Sequence, residues 1–135
     1  MADNSGLPYK SSRLTRRVSG GRGECVSDSN LFSVFGRMAA LPGHRDEVIA
    51  LIKESALAAG SDSGLLTYTI NTALDDPDAL WVTELWIDQE AHDTATGSEA
   101  VAEVTQRFLD LLAEQPAGFY GHAVHVQGRA SDSSL

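Results

Sequence analysis

Residues Gly64–Ile87 read GLLTYTINTALDDPDALWVTELWI. Two runs rich in Thr, Ile, Tyr, Val and Trp, Gly64–Ala73 and Leu80–Ile87, flank Asp75-Asp76-Pro77-Asp78. Residues of those types fit a pleated, half-buried surface, and Asp-Pro-Asp is turn chemistry. The spacing therefore predicts an antiparallel hairpin. Centred near Asp76, it sets Tyr68 across from Glu84, on one face. Glu84 and Trp86 share parity on the second run and face the same way. Leu80, Val82 and Trp86 alternate with Trp81, Leu85 and Ile87, so both faces of this strand are apolar.

Upstream, Leu31–Leu41 reads as another strand. Phe32, Val34 and Met38 lie on one face and Leu31, Phe35 and Ala39 on the other. Pro42-Gly43 breaks it. His44–Ala59 then carries Val48, Ile49, Ile52, Ala56 and Ala59 at helical spacing, with Glu47, Lys53 and Glu54 opposite. Gly60 is a suitable stop. Downstream, Asp88 caps a short helix to about Thr96, ended by Gly97. Ser98 caps a further helix with apolar positions Val101, Val104, Phe108, Leu111 and Leu112. Pro116 and Gly118 end that segment, and Phe119–Gln127 is a final strand.

The order is β-α-β-β-α-β, the ferredoxin-like plan of an α+β fold with a four-stranded antiparallel sheet. Its first and third strands are expected at the centre. Helices cover one face of such a sheet, yet these strands are apolar on both. A second subunit packed sheet against sheet is the simplest cover, so the patterning points to a homodimer.

The bulk numbers bound the rest. The chain has 135 residues, one domain's worth, and a net charge of -9. Residues 1–30 carry Lys10, Arg13, Arg16, Arg17 and Arg22 against Asp3, Glu24 and Asp28; the remaining 105 residues carry 5 basic and 16 acidic side chains. The first 30 residues show no apolar period and read as a disordered basic arm. Residues 31–129 form the folded domain, and 130–135 a polar tail. An acidic body repels a phosphate backbone, which argues against nucleic-acid binding. Cys25 is the single cysteine, so no internal disulfide is possible. No apolar run is long enough to span a membrane. Arg16-Arg17 has no apolar run behind it and is not an export signal, which leaves the cytoplasm as the expected compartment. Gly20-Gly21-Arg22-Gly23 has no strand before it and no helix after it, so it is no phosphate loop.

Three motifs follow one another in this frame: the strand Phe35–Arg45 with Pro-Gly and a helix behind it, Gly64-Leu65-Leu66-Thr67-Tyr68, and Glu84-Leu85-Trp86-Ile87-Asp88-Gln89-Glu90-Ala91. Together they resemble the antibiotic biosynthesis monooxygenase, or quinol monooxygenase-like, family over about residues 31–127. The resemblance implies a dimeric α+β barrel. It also implies oxidation of an aromatic polyketide, anthrone or quinol by O₂, with no cofactor and no metal. The alternatives on the same fold are a polyketide cyclase or isomerase, or a non-catalytic dimer that binds a small ligand. The histidine that the family often carries eleven residues after the Glu is Ala95 here, and His92 lies one turn earlier. Haem-degrading relatives use an Asn on the first strand; this first strand has none, and Gly36 lies in the relevant region.

Cofactor-free oxygenation needs a base, donors for an oxyanion and an apolar pocket for a flat ring. His92 is the candidate base. Tyr68 is the candidate donor, and Glu84 would orient the base or accept a proton. Trp86, Phe35 and His122 are the candidate substrate contacts. The competing reading is structural: a buried Tyr–Glu pair, a core Trp and a solvent-facing His92 beside Asp93. His44, at the start of the first helix, is expected on the surface. His122 and His125 differ by three on a strand, point to opposite faces and cannot share one metal ion.

Overall fold

The computed structural model describes residues 31–128. The basic arm 1–30, with Cys25 and Arg16-Arg17, and the tail 130–135 lie outside the described residues. Along the chain run β1 (Phe32–Ala39), α1 (Arg45–Ala59), β2 (Leu65–Thr72), β3 (Ala79–Trp86), α2 (Gln89–Thr96), α3 (Glu99–Leu109) and β4 (Ala117–His122). The strands form one sheet in the order β2-β3-β1-β4, antiparallel at every pair. This is the expected ferredoxin-like α+β fold, with the first and third strands central.

Local chemistry explains most boundaries. Asp88 caps α2 by accepting from the Ala91 amide at 2.8 Å, and Ser98 caps α3 by accepting from the Val101 amide at 3.3 Å. Each satisfies a backbone donor the helix leaves unpaired. Gly64, at φ 95°, opens β2; a Cβ there would meet the Ala91 side chain at 2.8 Å. Arg45 stands in the first turn of α1, where the helix dipole does not favour a cation. Its place is tertiary: its guanidinium donates to the carbonyls of Asp76 and Ala79, at 3.0 and 3.2 Å, and ties α1 to the β2–β3 turn.

The final strand differs from expectation. It starts at Ala117 and stops at His122, well short of Gln127. It follows its pairing with β1. β4 pairs with β1 from Ala117↔Arg37 to His122↔Phe32, and one more bond joins the Ala123 amide to the Leu31 carbonyl. Val124 and Val126, past the last pair, are exposed. At Gly118 the two strands approach so closely that a Cβ would run into the Phe35 carbonyl oxygen. The glycine that looks like a helix stop is therefore an element of the ladder.

Among the described residues, the three helices lie on one face. Val48, Leu51 and Ile52 of α1 and Val101 and Val104 of α3 are buried. The core falls into two clusters. One joins Met38, Ala40, Val48, Ile52, Leu80 and Val82; the other joins Phe32, Val34, Trp86 and Ala95. On the opposite face Phe35 and Phe119 lie 5.3 Å apart between ring centres, and Phe119 is 64% exposed. Trp81 and Leu85 are half-buried on that same side.

Candidate active site

The site is built from two neighbouring rows across the helix-covered face. Strand pairing lines up Tyr68, Glu84, Val34 and Tyr120 in one row, and Trp86, Phe32 and His122 in the next. The predicted Tyr68–Glu84 register holds, with the connection between the two strands centred on Asp76. Glu84 is largely withdrawn from solvent, and Trp86 Nε1–H donates to its Oε1 at 2.7 Å. Burial pushes the Glu84 carboxyl above its ordinary value; the Trp86 hydrogen bond and the nearby His92 oppose that shift without reversing it. Glu84 is thus biased toward the neutral acid, which can donate a proton or a hydrogen bond.

His92 comes down from α2. The Asp88 cap sets the phase of this helix, which turns His92 and Ala95 inward together. His92 is 7% exposed, not solvent-facing as its neighbour Asp93 suggests. Its ring packs among Phe32, Trp86 and Tyr120, with centre-to-centre distances of 5.0, 5.3 and 5.4 Å. Its Nδ1 lies 2.9 Å from the Asp93 carboxylate. With Nδ1–H donating there, Nε2 is left as the acceptor. Burial, Asp93 and Glu84 together push the Tyr120 phenol above its ordinary value, so it stays a neutral donor at physiological pH.

Of the candidate residues, the fold brings together Tyr68, Glu84, Trp86 and His92. His122 reaches only the rim: it is exposed, with its ring centre 6.4 Å from that of Phe32. Phe35 does not join them. It pairs with Thr83 and faces the open side of the sheet, because β1 alternates and Phe32 and Val34 take the covered side. The aromatic that β1 supplies is Phe32. Tyr120 and Asp93 were missed. Tyr120 shares parity with His122, which was the available signal; Asp93 gave none beyond its adjacency to His92. His44 is half-buried and pairs with Glu47 at 2.9 Å, and His125 contacts Gln127 at 3.1 Å, both away from this cluster. Among the described residues no three His, Cys, Asp or Glu side chains converge as a metal-binding group, and no helix is long and apolar enough to cross a membrane.

The family model for antibiotic biosynthesis monooxygenases matches residues 31–107. A candidate antibiotic biosynthesis monooxygenase of Chloroflexus aurantiacus J-10-fl is 31% identical, with TM-score 0.65, covering 73% of this chain and 97% of that one. SnoaB, a cofactor-independent oxygenase from Streptomyces nogalater solved as a mutant, shares the fold at 13% identity. Its TM-score is 0.65, with 74% of this chain and 99% of that one covered. A conserved protein from Methanosarcina mazei Go1 does so at 18% identity and TM-score 0.65, covering 71% and 95%. Among curated protein sequences none matches significantly. By its family model, its 31% identical structural relative and its ferredoxin-like sheet, this chain belongs to the antibiotic biosynthesis monooxygenase family.

Proposed function

We propose that the protein is a cofactor-independent monooxygenase that oxidises a flat, electron-rich phenolic substrate, of the anthrone or quinol class, with O₂. The observation that carries this is the placement of the buried His92 imidazole beside the half-buried Glu84 carboxyl, which accepts from Trp86 Nε1, inside an aromatic cluster. His92 removes a proton from the substrate, with Asp93 holding the imidazole in place. The resulting anion reduces O₂, and a carbon–oxygen bond forms to give a peroxide. Glu84, Tyr68 and Tyr120 donate to the developing oxyanions. For an anthrone, one oxygen atom ends in the new carbonyl and the other leaves as water, with the substrate as sole reductant. Trp86 and Phe32 flank the ring and exclude water.

The working unit in this reading is a homodimer. A second copy would cover the face bearing Phe35, Trp81, Leu85 and Phe119, an apolar set of the kind that marks an interaction surface.

The test is O₂ uptake by the purified protein, treated with chelator, on a panel of anthrones and quinols. Saturable uptake with quinone formation is expected. No uptake across the panel counts against the reading, and turnover that continues anaerobically points to a cyclase or isomerase instead.

A further inference from the structure

We propose that Gly36 is the floor of the ligand seat and sets the size of ring this protein accepts, an inference that rests on the site lying between sheet and helices as described above. Gly36 is in the middle of the central strand β1, where glycine weakens a strand because it packs no side chain. Two ordinary reasons for a strand glycine are absent. Its φ is not positive. Nor is the backbone crowded: a Cβ at Gly36 would have no heavy atom of the described residues within 4 Å, although Gly36 is itself buried. Its cross-strand partner Gly118 is the contrast, since there the Phe35 carbonyl forbids any side chain.

A buried glycine with free space over it keeps that space for something else. The surroundings say what. Gly36 lies at the seam of the two core clusters, between Val34 of one and Met38 of the other, with Val82 beside it. Neither residue of the Gly36–Gly118 pair carries a side chain, so bare peptide borders the space over Gly36. The next row along the strand is Tyr68, Glu84, Val34 and Tyr120. A ring resting on Gly36 therefore directs a phenolic oxygen toward the carboxyl and the two hydroxyls, while apolar side chains bound its other edges. The ligand class is a planar fused-ring phenol.

Gly36→Ala and Gly36→Val test this, with two readouts. The first is thermal stability. A methyl in open space on a strand should hold or raise the melting temperature, by about 2–8 °C for Ala. The second is calorimetric binding of 1,8-dihydroxyanthraquinone, a planar probe that needs no turnover. Binding should weaken about tenfold in Gly36→Ala and be lost in Gly36→Val while both remain folded. Wild-type affinity in both variants overturns the proposal, as does absence of probe binding in the wild type. If the wild type binds the probe but consumes no O₂ with any anthrone, the seat stands and the oxygenase reading fails.

Discussion

At the residue scale, the proposed chemistry rests on one carboxyl and one imidazole. Replacing His92 by Ala should lower kcat by about 10²–10⁴, the range for loss of a general base, with the fold retained in far-UV circular dichroism. Unchanged turnover would remove His92 from the mechanism. Glu84 has a raised carboxyl, so its neutral form is favoured by folding. The sign follows: between its unfolded and folded values the native state holds more protons than the unfolded chain. Stability from this group is complete below the unfolded value and is lost as pH rises through the folded one. Glu84→Gln keeps an acceptor for Trp86 Nε1 and carries no charge. Urea titrations should show the variant gaining on the wild type as pH rises, and a pH-independent difference would contradict the burial. Of these groups, Glu84, Trp86 and Tyr68 were placed on one face by parity and one turn, and His92 was singled out through the family resemblance. Phe32 displaced Phe35 because alternation along β1 sends Phe35 to the other side of the sheet. The burial of His92 was not legible, because it depends on the angle at which α2 returns across the sheet.

At the element scale, α2 has eight residues and holds its histidine through its cap. Asp88→Ala should cost about 1 kcal/mol in denaturant titration by leaving the Ala91 amide unsatisfied. It should also reduce turnover, since the same cap sets the phase of His92; equal activity would separate cap from site. β4 depends on a close approach. Gly118→Ala drives a methyl into the Phe35 carbonyl and should cost about 1–3 kcal/mol or more, read from the melting temperature. A neutral result would show that the ladder yields there. The helix caps and the hairpin were legible because their determinants are a few residues apart. The ends of β4 were not, since they depend on its pairing with β1, far away in the chain.

At the scale of the whole molecule, the proposed homodimer rests on the open sheet face. Light scattering should give a mass near twice the 14.4 kDa chain. Phe119→Asp, which puts a charge on an exposed aromatic of that face, should shift the protein toward monomer and lower its melting temperature. A monomeric wild type would refute the dimer. The order of elements, the hairpin register and the doubly apolar strands could all be read from residue types alone, because alternation, helical period and turn chemistry are short-range. The tertiary structure alone decided three things: that Tyr120 lies in one row with Glu84, that His92 turns inward among three rings, and that Gly36 leaves a space between two core clusters. All three depend on β1 or β4 meeting elements distant in the chain, and short-range patterns do not dictate those contacts.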